Sequence, residues 1–159
     1  MITKEIYGEN KFASYSKVRT GCRGILLKDS QILLVHELKN DFFMIPGGGL
    51  EEEESLEDCC VRELQEETGY IVMTSRDGAY LQINEYYEDY KYIDYYYLCE
   101  IIGESSTNLT EMEAERKLVA EWVDFDTALE IFSRHQEYAS TYEEKRGAYL
   151  REFTALQLL

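Results

Sequence analysis

Residues 48–70 have the sequence GGLEEEESLEDCCVRELQEETGY, and this stretch decides how the chain is interpreted. Its second part predicts an α-helix over residues 55–68, since apolar residues recur there at helical spacing. Ser55 is a suitable N-cap, and Gly69 is a typical stop signal at the C-terminal end. The stretch therefore consists of a glycine-containing loop that leads into an acidic helix.

Three glutamates of this helix lie on one side of it. At about 100° per residue, Glu63, Glu66 and Glu67 share roughly one third of the helix circumference. Leu56 and Cys60 project in nearly the same direction, so the carboxylates border the face that packs against the protein. Acidic groups gathered there imply a bound cation, for which carboxylates are natural ligands. The alternative is a glutamate-rich helix whose charges are simply solvated.

The spacing of the fixed positions distinguishes these interpretations. Gly48 is followed by five residues, Glu54, seven residues and then RELQEETGY at positions 62–70. This pattern resembles the Nudix box of the MutT-like hydrolases, G-x5-E-x7-R-E-U-x-E-E-x-G-U, where U is an apolar residue. Every charged or glycine position agrees, and Tyr70 stands where the family more often carries isoleucine, leucine or valine. The chain is therefore identified as a member of the Nudix hydrolases by resemblance.

The resemblance implies a fold and a reaction. The fold is of the α+β class, a Nudix-type α/β/α sandwich around a central mixed β-sheet, with residues 1–159 as a single Nudix hydrolase domain. The reaction is Mg²⁺-dependent hydrolysis of a phosphoanhydride bond in a nucleoside diphosphate linked to a group X, and Mn²⁺ is expected to substitute. A nucleoside triphosphate, a dinucleoside polyphosphate or a nucleotide sugar would be such a small-molecule substrate.

The resemblance also assigns roles within the box. Glu66 and Glu67 would be the main metal ligands, and Glu63 would be a further ligand or the base. The carbonyl of Gly47 would join the metal shell, and Arg62 would orient Glu63. All four side chains, of Arg62, Glu63, Glu66 and Glu67, are thus expected to be catalytic.

The same resemblance assigns roles to further acidic residues before and after the helix. Glu54 would connect the loop to the helix by pairing with Arg62. An additional acidic ligand or base often follows the box, and Glu111, Glu113 and Glu115 are the candidates, with Glu115 or Glu113 ranked above Glu111. We predict Glu115 as a metal ligand, while a solvated acidic loop is the alternative for each of the three.

The substrate is less well defined by the sequence. Gly48 and Gly49 lack side chains, so their backbone can approach a ligand closely. Tyr86 and Tyr87 lie sixteen and seventeen residues after Tyr70, a position where diadenosine-polyphosphate enzymes tend to carry a tyrosine. We predict both as substrate-binding residues that stack on a base, and packing within the β-sheet is the alternative explanation for most tyrosines of this region. The proline typical of ADP-ribose enzymes is absent after Pro46.

Composition limits the partners. The net charge is −16, which disfavours binding to a nucleic-acid backbone. The four cysteines show no metal-binding spacing, so reduced thiols are expected. No apolar run is long enough for a membrane span or a signal peptide. We therefore expect a cytoplasmic protein without nucleic-acid or membrane partners, and a homodimer is possible by resemblance.

The remaining segments predict the other elements of the sandwich. Period-two apolar patterns predict strands, and amphipathic patterns predict helices after the last strand. The predicted strands are 18–28, 31–37, 71–75, 79–87, 91–102 and 118–125. A helix is predicted from an N-cap at Asp126 or Thr127 to about residue 138, and another over residues 141–157.

Two other functions are compatible with the same fold. A Nudix-fold protein that binds nucleotides but has lost catalysis would usually show a broken box, whereas this box is intact. An isoprenoid diphosphate isomerase would need a cysteine elsewhere, and Cys22 or Cys99 could serve. Binding of a nucleotide without release of phosphate or nucleoside monophosphate would identify the inactive protein.

Overall fold

The computed structural model describes residues 1–159 and contains nine strands and four α-helices. The strands are β1 (Ile2–Tyr7), β2 (Lys17–Lys28), β3 (Gln31–Glu37), β4 (Phe42–Met44), β5 (Gly47–Gly49), β6 (Tyr70–Thr74), β7 (Leu81–Tyr87), β8 (Tyr90–Glu104) and β9 (Leu118–Asp124). The helices are α1 (Leu56–Thr68), α2 (Glu111–Glu115), α3 (Phe125–Ser133) and α4 (Glu143–Gln157), with a 3-10 helix at Arg134–Tyr138 between the last two. None of these helices is long and apolar enough to cross a membrane.

Helix α1 begins and ends where its sequence predicts. The hydroxyl of Ser55 accepts a hydrogen bond from the backbone N–H of Asp58 at 3.1 Å. Gly69 adopts a left-handed conformation with φ of 77°, and its N–H donates to the carbonyl of Gln65. Glycine reaches this conformation without the steric cost that a Cβ would add. The helix that carries the acidic cluster is therefore fixed at both ends.

The strands form a mixed sheet. Its main path runs β1-β7-β8-β2-β3-β4, with β5 beside β2, β6 beside β8 and β9 beside β3. The β1/β7 and β2/β8 pairs are parallel, and the remaining pairs are antiparallel. The predicted fold class, an α+β sandwich with a central mixed sheet, is confirmed by this topology.

Helices cover both faces of the sheet. Helix α1 packs on one face over a cluster that includes Cys22, Leu64 and Tyr97. Helices α3 and α4 cover the opposite face over a larger cluster that includes Tyr96 and Phe132. Since side chains alternate along a strand, successive residues within β2, and likewise within β8, point to opposite faces of the sheet. This alternation determines which residues of β2 and β8 lie on the side of α1 and which lie on the side of α3 and α4.

The structure corrects several predicted boundaries. Strand β1 and helix α2 lie in segments for which the sequence predicted no regular structure. The glycines 47–49 pair with β2 as a short strand, whereas an open loop was expected. The N-cap of α3 is Asp124, whose carboxylate accepts the N–H of Thr127, so the prediction of Asp126 or Thr127 was wrong. A side chain three residues before its N–H partner is the normal capping geometry, and only Asp124 has it.

Candidate active site

Glu67 lies at the centre of the acidic cluster and is nearly buried. Only 7% of its surface is exposed, and its Oε2 atom accepts a hydrogen bond from the N–H of Gly47 at 2.9 Å. Burial raises the pKa of this carboxyl well above its usual range, although the Gly47 N–H opposes the shift. A carboxylate held in this way gains stability from any cation that approaches it.

Glu63 lies one turn earlier, directly against the glycine strand. A Cβ added to Gly48 would lie 2.5 Å from Cδ of Glu63, so a larger residue there would displace this carboxylate. Burial raises the pKa of Glu63, while the hydrogen bond and the charge of Arg62 lower it. The close approach of Gly48 thus places the Glu63 carboxylate at the edge of β5.

Arg62 connects the glutamates of the helix with the preceding loop. Its Nε and Nη2 atoms donate to the two carboxylate oxygens of Glu54 at 2.7 and 3.0 Å. Its Nη1 atom donates to Glu63 at 2.8 Å and to Glu66 at 3.2 Å. Its Nη2 atom also reaches the carbonyl of Gly49 at 2.9 Å. A single guanidinium therefore holds the loop and two of the candidate ligands in place.

The three candidates after the box all lie in α2 and differ in their exposure. The side chain of Glu115 is 73% exposed and lies 3.4 Å from Nζ of Lys39. Glu111 is also exposed. Glu113 is half-buried, and its negative charge contributes to the raised pKa values of Glu63 and Glu67. Of the three, Glu113 is the one that the structure brings electrostatically close to the cluster.

The donor set of the cluster suits a divalent cation. Carboxylate oxygens are the ligands that Mg²⁺ prefers, and the buried Glu67 has one N–H as its hydrogen-bonding partner. As the side chains stand, no three acidic, histidine or cysteine residues form a ready metal cage. Nη1 of Arg62 is shared by Glu63 and Glu66. An ion that binds these two carboxylates would take over part of the role of Arg62.

A basic cleft lies on the other side of the glycine strand. A cavity of about 240 Å³ is lined by Gly48 and Gly49 together with three arginines, Arg19, Arg23 and Arg151. It adjoins a second cavity of about 390 Å³, which shares the three arginines and continues toward α4. Carboxylates also line these cavities, Asp94 in the first and Glu85, Glu143 and Glu144 in the second. The charge offered to an anionic ligand therefore comes from the arginine that these carboxylates leave unpaired.

Two of these arginines belong to a buried charge network. Arg23 donates from Nε to Asp94 at 3.1 Å, and Arg151 donates to Glu85 at 3.2 Å and to Glu152 at 2.8 Å. The Nε atom of Arg151 is buried and has no hydrogen-bond partner. These pairs neutralise most of the charge of Arg23 and Arg151 and fix the wall of the cleft.

Arg19 differs from the other two arginines. It is exposed and forms no ion pair, and its guanidinium is close enough that a Cβ on Gly49 would lie 3.2 Å from its Nη2 atom. Arg19 therefore presents a free positive charge at the mouth of the cleft, next to the glycine strand.

The two tyrosines predicted to bind substrate lie on opposite faces of β7. Tyr87 lines the larger cavity, and its hydroxyl donates to Glu85 at 2.7 Å. Tyr86 points to the other face, where its ring stacks on Tyr7 with the centroids 5.3 Å apart. Tyr92 of β8 lines both cavities.

Arg19 and Arg151 were not among the site residues predicted from the sequence. The alternation of charged residues at positions 17, 19 and 23 was the available signal in β2, since those residues share one face of a strand. Their proximity to Tyr92 depends on the parallel pairing of β2 with β8, for which the sequence gives no local signal.

The chain resembles known proteins both in a family model and in sequence. A model of the NUDIX domain matches residues 17–144. The chain is 41% identical over 64 residues to an ADP-ribose pyrophosphatase of Methanocaldococcus jannaschii, and this alignment covers 38% of this chain and only 38% of that protein. It is 27% identical over 119 residues to diphosphoinositol polyphosphate phosphohydrolase 3-alpha of Mus musculus, covering 74% of this chain and 70% of that protein.

Solved structures show the same fold. A NUDIX hydrolase from Nitrosomonas europaea superimposes with a TM-score of 0.60 at 18% identity, covering 90% of this chain and 96% of that chain. An ADP-ribose pyrophosphatase from Streptococcus suis superimposes with a TM-score of 0.53 at 19% identity, covering 88% of this chain and 90% of that chain. At such identities the similarity establishes the fold.

Proposed function

The chain belongs to the Nudix family, and from this membership we propose that it hydrolyses a phosphoanhydride bond in a nucleoside diphosphate derivative with the help of a divalent cation. The observation that carries this proposal is the arrangement around β5. Buried carboxylates of α1 lie against one side of the glycine strand, and a basic cleft lies on the other. An anionic substrate in the cleft is thereby brought next to the acidic cluster.

The carboxylates are the proposed ligands of the cation. Glu66 and Glu67 would hold it together with the carbonyl of Gly47, and Mg²⁺ or Mn²⁺ suits such oxygen donors. Of the two roles expected for Glu63, ligand or base, we propose the base. When bound, the ion supplies positive charge that stabilises the phosphate oxygens and lowers the pKa of water. We place Glu113 ahead of Glu115 as the additional acidic residue, because Glu113 acts electrostatically on this cluster.

The protein's own groups supply positioning and proton transfer. Glu63 is the proposed base, since burial raises its pKa toward the range in which a carboxylate accepts a proton effectively. Arg62 is a positioning residue that holds Glu63 at the edge of β5. Arg19 and the edge of the glycine strand are proposed to bind the phosphate chain, because an exposed guanidinium pairs well with phosphate oxygens.

The relatives do not define one substrate. Their names refer to ADP-ribose and to diphosphoinositol polyphosphates, which share a diphosphate and differ in everything else. The basic cleft suits the diphosphate, which is the part that these substrates share. We therefore assign the bond that is cleaved to a diphosphate or longer phosphate chain.

A substrate panel tests the proposal. Purified protein would be incubated with Mg²⁺ and nucleoside triphosphates, ADP-ribose, nucleotide sugars or dinucleoside polyphosphates, and products would be separated by chromatography. We expect hydrolysis of at least one compound. EDTA should abolish this hydrolysis, and so should the substitution Glu67→Gln. Binding of these compounds without hydrolysis of any of them would instead identify a Nudix-fold protein that has lost catalysis.

A further inference from the structure

A row of cationic and aromatic side chains continues from the basic cleft along the sheet. We propose that this row, formed by Lys17 and Arg19 of β2 with Tyr90 and Tyr92 of β8, is a subsite for a second nucleobase. The substrate class would then be a phosphate chain that carries a base at each end, as in a dinucleoside polyphosphate. This inference rests on the proposed function, since it concerns the same cleft.

The pairing of β2 with β8 places these four residues on one face. The two strands are parallel, with Lys17 opposite Tyr90 and Arg19 opposite Tyr92. Residues directly opposite each other in a sheet project to the same side, as do residues two apart on one strand. The cations thus form one line and the tyrosines a neighbouring line, and both lead toward the glycine strand.

The tyrosine rings are already arranged for stacking. Tyr90 and Tyr92 stack with their centroids 5.2 Å apart and an interplanar angle of 20°. Tyr87 lies at 6.1 Å from Tyr92 and supports its ring from the neighbouring strand. Tyr92 lines both cavities, so its ring remains accessible to a ligand. Stacking of a base on such a ring is tolerant of base identity.

The cations suit the phosphates that would join the two bases. Arg19 forms no ion pair and is exposed, and Nζ of Lys17 lies 5.1 Å from the centre of the Tyr90 ring. A lysine over a ring face and an adjacent free guanidinium provide positive charge beside an aromatic surface. A sugar or an inositol ring would use the charges of this row but would leave its aromatic surface uncovered.

The larger cavity provides a separate place for the first base. Its wall includes the apolar side chains of Phe42, Met44 and Ala148 as well as Tyr87. The two cavities meet at Arg19 and Tyr92, which line both of them. One base in this recess and one on Tyr92 would leave the phosphate chain beside Gly48 and Gly49.

Two substrates that differ only in the second nucleoside test the subsite. Diadenosine tetraphosphate and adenosine 5′-tetraphosphate would be compared by kcat/KM with Mg²⁺, and the wild type is expected to prefer the former. Tyr92→Ala is expected to lower kcat/KM for diadenosine tetraphosphate about 5- to 100-fold, the range of one base–aromatic stack. The loss for adenosine 5′-tetraphosphate should be smaller, so that the preference for the dinucleotide falls. Tyr92→Phe keeps the ring and should retain the preference.

Tyr7→Ala is the control, because Tyr7 is an exposed tyrosine of β1 whose ring stacks on Tyr86, on the face of the sheet opposite Tyr92. It should leave both rates unchanged. Equal losses on both substrates with Tyr92→Ala, or a wild type that prefers adenosine tetraphosphate, ADP-ribose or a nucleotide sugar, would overturn the subsite.

Failure of the proposed function is a separate outcome. If no compound is hydrolysed, calorimetric Kd values for the same two ligands decide the subsite alone. At least about fivefold tighter binding of the dinucleotide, lost in Tyr92→Ala, would support it, and equal Kd values would refute it.

Discussion

The guanidinium of Arg62 donates two nearly parallel hydrogen bonds to the carboxylate of Glu54, from Nε at 2.7 Å and from Nη2 at 3.0 Å. The same group reaches Glu63 and the carbonyl of Gly49. Lysine carries one compact ammonium group and cannot form this set of contacts. Arg62→Lys is therefore expected to lower kcat about 10- to 100-fold with a smaller change in KM. An unchanged kcat would show that Arg62 does not position the acidic cluster.

The contact between Gly48 and Glu63 is tested by adding a methyl group. In Gly48→Ala the new Cβ would lie 2.5 Å from Cδ of Glu63, which must move away. A displacement of this size is expected to lower kcat about a hundredfold, while circular dichroism should show a retained fold. Gly103→Ala is the control, since its Cβ would meet only ordinary contacts with Ile71 at 3.6 Å. Equal rates for the two variants would contradict the assignment of Glu63.

The buried carboxylate of Glu67 predicts an effect on stability as well as on rate. Its pKa is raised by burial, so ionisation costs folding stability, and this cost is present at neutral pH. Without a divalent cation, Glu67→Gln should therefore unfold at a higher temperature than the wild type. With Mg²⁺ the wild type should gain stability and the variant much less, and kcat of the variant should fall by about two to three orders of magnitude.

Thermal unfolding with and without Mg²⁺ measures both effects on Glu67. Glu57→Gln, at an exposed position of the same helix, removes one charge without touching the cluster and should behave as the wild type. If Mg²⁺ stabilised the wild type and Glu67→Gln equally, Glu67 would not be a ligand.

The segment after the box gives a comparison between two glutamates. Glu113 is half-buried and acts on Glu63 and Glu67, whereas Glu115 is exposed and faces Lys39. We expect Glu113→Gln to lower kcat/KM about tenfold or more and Glu115→Gln to have the smaller effect. Steady-state kinetics at saturating Mg²⁺ would show the order. The reverse order would restore Glu115 as the additional ligand.

The pair of Glu143 and Arg146 predicts a dependence of stability on pH. The hydrogen bond from Arg146 lowers the pKa of Glu143 below its ordinary value near 4.5, and the Nε atom lies 2.8 Å from Oε2. A lowered pKa contributes stability that is present above the unfolded-state value and is lost as the pH falls through the folded-state value. Glu143→Gln should therefore destabilise the protein by about 0.5–1 kcal/mol at pH 7 and by progressively less below pH 4.5.

Urea unfolding at pH 7 and pH 4 would measure this difference for Glu143→Gln. Glu130→Gln breaks an exposed pair with Arg134 and serves as the control with the smaller effect. A loss of stability that is the same at both pH values would assign Glu143 a packing role.

Local signals predicted the acidic helix and the class of fold. Ser55 and Gly69 carry the chemistry of helix ends within their own positions, so the bounds of α1 follow from the chain alone. The period-two pattern of β2 and β3 was equally local, and both strands occur where it predicts them. The resemblance to the Nudix box then predicted that these elements belong to an α/β/α sandwich.

The basic cleft was not predictable in the same way. Arg19 meets Tyr92 only because β2 and β8, which are far apart in the chain, pair in parallel. Arg151 joins them from a helix at the other end of the sequence. A shift of one residue in the register would turn Tyr92 to the opposite face. Of the two tyrosines predicted to bind substrate, Tyr87 lines the adjoining cavity, whereas Tyr86 lies on the opposite face of β7.

The position of Arg151 has a consequence for protein synthesis. Helix α4 provides Arg151 for the wall of the cleft and Glu152 for the hydroxyl of Tyr96, yet residues 143–157 leave the ribosome after all nine strands. Helix α1 can dock on its face of the sheet while Arg151 is still missing from the arginine wall. A nascent chain would thus carry its acidic cluster before the wall of the cleft is complete, and the buried charge network would close only when helix α4 docks.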